Sequence, residues 1–98
     1  MRHNITSGHI GVFLRKARKE KKMTGQQLAK LMNISQQQIS RYEIGTTPIT
    51  FDQLQEFLLV LDKRWLDVFK FLENETNPKI KRNENKYISW KSYPSKNL

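Results

Sequence analysis

Cysteine is absent from this 98-residue chain, which excludes disulfides and thiolate-held metal and fits a reducing compartment. Histidine is scarce: His3 and His9 have no neighbouring carboxylate or third ligand in the sequence, so both read as surface residues. No apolar run approaches the roughly 20 residues that a membrane-spanning helix needs. The opening MRHNITSGHIG lacks the hydrophobic centre of a signal peptide, so the chain is expected to stay in the cytoplasm. Paired histidine and carboxylate, a Ser–His arrangement, a phosphate-binding glycine loop and a metal cluster are all missing, so the chain reads as a non-enzyme. No cofactor is implied and no small-molecule ligand is evident. Acidic residues are also few, nine against 18 Lys and Arg, which leaves a net charge of +9. Such a surface attracts polyanions, nucleic acid before anionic membrane. A membrane-surface peptide is disfavoured because the basic first helix belongs to a chain with a globular core.

A hydrophobic content of 37% over this length supports one modest core and hence one small domain. From Ser7 to about Lys21, Ile10, Phe13, Leu14 and Ala17 recur at i, i+3, i+4 and i+7, the stripe of a helix, with Arg15, Lys16, Lys19 and Lys22 opposite. Thr24 followed three residues later by Gln27 predicts a capping box and a short second helix, Gly25 to Met32. Asn33 tolerates the left-handed backbone that ends helices, and Ile34 offers an apolar anchor for the turn. The same start signal returns at Ser35 with Gln38 and at Thr50 with Gln53. These predict a third helix, Gln36 to Ile44, stopped by Gly45, and a fourth, Phe51 to Leu61, burying Leu54, Phe57, Leu58 and Leu61. A fifth is expected from about Arg64 to Glu73. Its Trp65, Leu66, Val68, Phe69, Phe71 and Leu72 wrap more than one helix face, so part of that surface is expected to meet something besides its own core.

From Asn74 onward the composition turns basic and aperiodic, and residues 74–98 read as an extended tail. Its KIKR run either grips nucleic acid or only solubilises, and Tyr87, Ile88, Trp90 and Tyr93 leave room for a short strand, docking or dimerisation.

A turn of about three residues between the second and third helices forces a large crossing angle, that of a helix-turn-helix spanning about 24–45. Ala29 is small enough for the close crossing, and Leu28, Ile34, Ile39 and Tyr42 supply apolar contacts around it. With Ile39 and Tyr42 turned inward, helical geometry turns Gln36, Gln37, Ser40 and Arg41 outward. A glutamine amide matches the N6 and N7 edge of adenine, and arginine the O6 and N7 of guanine, each bidentate contact discriminating by about 1–3 kcal/mol. The competing reading makes these residues helix formers on a solvated face, and Gln38 is assigned to capping alone. Ser35 opens the helix, whose free N–H groups suit phosphate.

The stretch LRKARKEKKMTGQQLAKLMNISQQQISRYEIG resembles the Cro and phage-repressor, or XRE, type of helix-turn-helix regulators, over residues 7–72. The resemblance implies an all-α fold, a five-helix lambda-repressor-like DNA-binding domain in residues 1–73 with its recognition helix at about 36–44. It also implies a buried ion pair between Arg18 and Glu43. Phosphate contacts are implied at Thr24 and Gly25, with Gln26 able to substitute where Gly25 lacks the glutamine side chain of many relatives, and at Thr46 and Thr47. More narrowly, SQQQISRYE looks like the signature of MrpJ-type regulators, encoded in fimbrial operons of enteric bacteria and repressing flagellar synthesis. The expected partner is double-stranded DNA, bound by a homodimer on half-sites about 34–36 Å apart. Trp65, Phe69 and Phe71 are candidates for the dimer surface. The alternative is a protein-binding module, such as an antitoxin or accessory partner, that also binds its own promoter.

Overall fold

The computed structural model describes residues 6–76. The tail residues assigned above, Tyr87, Ile88, Trp90 and Tyr93 and the KIKR run, lie outside them, as does His3. The described residues form an all-α fold of five helices: α1 (Ser7–Glu20), α2 (Gly25–Met32), α3 (Gln36–Ile44), α4 (Phe51–Leu61) and α5 (Trp65–Thr76). No helix among them is long and apolar enough to cross a membrane.

Local chemistry writes the boundaries. Thr24 and Thr50 close reciprocal capping boxes with Gln27 and Gln53, the N–H of each glutamine donating to the threonine hydroxyl at 3.0 and 3.1 Å. A further box at Thr6 and His9 opens α1, a start signal the sequence reading passed over because histidine took the place of Gln or Glu. At Ser35 only half a box is made. The Gln38 N–H donates to Ser35 Oγ at 3.0 Å, and the return bond from the Gln38 side chain is missing, so Gln38 does not do the reciprocal capping expected of it. Asn33 does end α2 in the left-handed region, at φ 58°.

The fifth helix departs from expectation at both ends. Arg64 stands just outside it, its N–H held by Asp67 Oδ2 at 2.8 Å. The helix then continues through Asn74 and Glu75 to Thr76, three residues into the segment read as tail. No proline or glycine interrupts Trp65–Thr76, and the Thr76 hydroxyl donates back to the Leu72 carbonyl at 2.7 Å.

One core joins all five helices: Phe13, Leu14 and Ala17 of α1, Leu28 and Ala29 of α2, Ile39 and Tyr42 of α3, the four predicted residues of α4, and Val68 and Leu72 of α5. Tyr42 meets Phe57 edge to face, with ring centres 5.7 Å apart. Ile10, Ile34 and Met32 are half-buried around it. The core thereby fixes the inner side of α3 and leaves its outer side to solvent.

Candidate nucleic-acid interface

The outer side of α3 carries the four side chains singled out as readers. Gln36, Gln37, Ser40 and Arg41 are all exposed, and among the described residues none of their side chains makes a hydrogen bond within the chain. Their donors and acceptors are available to a ligand. The inner side, Ile39, Tyr42 and Glu43, is buried.

Phosphate candidates bracket this helix at its two ends. At the first, Ser35 caps α3, while Thr24, Gly25 and Gln26 open α2. The two helix starts meet: a Cβ built on Gly25 would sit 3.8 Å from both Cγ and Nε2 of Gln36, ordinary contact distance. A side chain at position 25 therefore has room to lie along Gln36, and glycine leaves that flank open. Thr24 is exposed, but its hydroxyl is engaged in capping; Gln26 is exposed and free of such a role. At the far end, about 13 Å along a nine-residue helix, Gly45 turns the chain with φ +89°. Its N–H and that of Thr46 both donate to the Arg41 carbonyl, at 2.9 and 3.1 Å. Thr46 is exposed and Thr47 half-buried.

Arg18 holds α3 from behind. Its Nε donates to Glu43 Oε2 at 2.7 Å, its Nη2 to Oε1 at 3.0 Å, and its Nη1 to the Met23 carbonyl at 2.8 Å. The two side chains are only 12% and 7% exposed. The hydrogen bonds to Glu43 raise the Arg18 pKa against the lowering effect of burial, so the guanidinium keeps its charge. One arginine thus links α1, the α1–α2 turn and the end of α3.

A second clamp on the same end of α3 was not read from the sequence. Gly11 is buried, and a Cβ there would lie 2.3 Å from the Glu43 carbonyl oxygen and 2.5 Å from that of Tyr42. The α1 backbone rests directly on the last turn of α3, and only glycine permits that approach. Next to it, Gly45 lies against Gly8. The signal was available: two glycines three residues apart inside a helical pattern, SGHIG, imply a close neighbour, since each weakens the helix by about 1 kcal/mol otherwise.

The aromatic candidates divide. Trp65 stacks on Phe51 with ring centres 4.7 Å apart and planes 10° from parallel, and Phe69 adjoins Trp65 at 6.3 Å. Phe51 and Phe69 remain 66% and 56% exposed, so the three rings form an outward row. Phe71 points elsewhere, half-buried against Phe13 at 5.5 Å with Lys16 Nζ 5.7 Å over its ring. It closes the α1–α5 contact and is not part of the row.

Comparison with known proteins bears on this geometry. No curated protein matches the chain in sequence. Among solved structures, the clp gene regulator ClgR from Corynebacterium glutamicum is similar with a TM-score of 0.71 at 19% identity, over 95% of this chain and 99% of that one. At that identity the likeness establishes a shared fold. The helix-turn-helix family profile matches residues 14–67, which hold the Arg18–Glu43 pair, the α2–α3 unit and α4 complete. The chain belongs to the helix-turn-helix family of XRE type, whose members are DNA-binding regulators of transcription.

Proposed function

We propose that the chain is a sequence-specific repressor that occupies a promoter through α3, with Gln36, Gln37, Ser40 and Arg41 reading base edges in the major groove. The observation that carries this reading is the set of exposed side chains without internal hydrogen bonds on a helix clamped from behind by Arg18. Lysines at those positions would attract any duplex; amides and one guanidinium discriminate between bases. Gly25 and Gln26 serve the phosphates through the free N–H groups at the start of α2, and Ser35, Thr24, Thr46 and Thr47 through their short hydroxyls.

The nonapeptide Ser35–Glu43, SQQQISRYE, supports a narrower assignment to MrpJ-type control, in which a regulator made from a fimbrial operon represses flagellar genes. Homodimerisation through the Phe51–Trp65–Phe69 row accompanies it, because adjoining exposed rings favour burial against a second apolar surface. The same row favours the second reading, a module held by a different protein, as antitoxins are. Sedimentation of the purified chain separates the two. A dimer that Phe69→Lys converts to monomer supports the first; a monomer that co-purifies with a stoichiometric partner supports the second.

Selection of bound sequences from random DNA tests the main reading. Recovery of a defined motif, lost on replacing Gln37 or Arg41 by Ala while weak general binding persists, is the expected result. A motif unchanged by both substitutions rejects this assignment of the reading face.

A further inference from the structure

We propose that Arg15 and Lys19 on α1 form a separate phosphate grip beside the far end of α3, an extension that rests on the DNA-binding reading above. The two lie one turn apart on the outer side of α1, about 6 Å along its axis, and both are exposed. They line one groove with Val12 and with Ile44, the last residue of α3. Ile44 itself falls on the outward stripe of α3, at i+7 from Gln37 and i+3 from Arg41, so the α1 row borders the reading face. A duplex presented to Gln37 and Arg41 carries its sugar-phosphate backbone past this border.

The charges there are uncompensated. Of the acids lining the groove, Glu43 is held by Arg18 and Glu20 by Lys63 at 2.9 Å. Lys16, the third cation of the groove, sits over Phe71 on the opposite flank. Arg15 and Lys19 have no ion-pair partner among the described residues. The floor they border is apolar, with Val12 and Ile44 52% and 65% exposed. Such a floor suits the aliphatic stems of long cationic side chains while their heads remain in water. Two long cations flanking a reading helix, with no acid left to them, match an anionic backbone at short range.

The alternative occupant is an acidic protein segment using the same apolar floor. Two observations favour phosphate: the continuity of the groove with the stripe of Gln37 and Arg41, and the position of both cations on the side of α1 that adjoins α3. A protein seated there would abut the duplex.

The test is the salt dependence of binding to a duplex carrying the selected site, followed by fluorescence anisotropy between 50 and 200 mM KCl. Wild type is compared with the Arg15→Gln/Lys19→Gln double variant and with the charge-preserving Arg15→Lys/Lys19→Arg swap. The double variant should lower the slope of log K against log salt by about two, since each phosphate contributes roughly 0.9. Its affinity should therefore fall roughly tenfold less than that of wild type over this range. Sequence preference should be retained, the swap should restore the slope, and the circular dichroism spectrum should not change. An undiminished slope beside a steep wild-type slope overturns the proposal and leaves the DNA-binding reading intact. Loss of polyglutamate binding with that same undiminished slope would assign the groove to acidic protein. A wild type with no salt-dependent DNA binding removes both readings.

Discussion

Arg18 and Glu43 face each other as a two-point pair, Nε to Oε2 at 2.7 Å and Nη2 to Oε1 at 3.0 Å, across the junction of α1 and α3. Both are charged residues in a DNA-binding domain, yet neither is free to touch DNA. Their consequence is mechanical: the last turn of α3 cannot rotate without breaking a charge-assisted fork.

Removing one member should therefore cost nearly as much as removing both. Glu43→Ala leaves a guanidinium that is largely enclosed and retains only the Met23 carbonyl, and should destabilise the fold by about 3 kcal/mol. For a domain of this size that lowers the thermal midpoint by roughly 12–24 °C. The Arg18→Ala/Glu43→Ala double variant should be less destabilised than the sum of the singles. Single substitutions costing under about 1 kcal/mol, the range of exposed pairs, would show that the fork contributes little. Thermal and urea denaturation of the four proteins decide it.

Two glycines of α1 should respond in opposite directions. At Gly11 an added methyl meets the Tyr42 and Glu43 carbonyl oxygens at 2.5 and 2.3 Å, so Gly11→Ala must push α1 and α3 apart. A loss of about 1–3 kcal/mol is expected, as for other overpacked sites. At Gly8 the nearest atom is Thr6 Oγ1 at 3.5 Å, and alanine gains helix propensity, so Gly8→Ala should be neutral or stabilising by up to about 1 kcal/mol. Equal effects at the two positions would contradict the close approach of α1 to α3.

Position 25 offers a gain-of-contact test. Gly25→Gln fits without a clash, because the first atom met is in the Gln36 side chain at 3.8 Å. The new amide should brace Gln36 and sharpen discrimination at the base pair that Gln36 reads, leaving the other positions of the motif unaltered. Sequence selection with the variant measures this. Sharpening spread evenly over the motif would point to a general gain in affinity.

Much of this fold was legible before any coordinates because capping chemistry punctuates it. Threonine or serine three residues before glutamine fixes the starts of α2, α3 and α4, and Asn33 and Gly45 fix two ends. The face of α3 followed from Ile39 and Tyr42, since two inward residues orient every other side chain on a helix. What escaped the reading depends on proximity between distant segments. Gly11 looks like a weak point of a helix until the carbonyls of Tyr42 and Glu43, more than thirty positions away, are brought onto it. The aromatic residues of α5 show the same limit. Trp65, Phe69 and Phe71 looked alike in the sequence, and only packing sends Phe71 to Phe13 and Trp65 to Phe51. The end of α5 lies beyond Asn74 because a change in composition there is not a change in structure: no helix breaker stands between Asn74 and Thr76.

Sequence recognition by Gln37 and Arg41 is decided by the affinities of wild type, Gln37→Ala and Arg41→Ala for the selected duplex and for a scrambled one, at a single salt concentration. Each substitution should narrow the ratio of the two affinities by a factor corresponding to about 1–3 kcal/mol, chiefly by weakening the selected duplex. If instead both variants lost affinity for the two duplexes in equal proportion, the outer face of α3 would be an electrostatic anchor and its glutamines no more than a solvated helix surface.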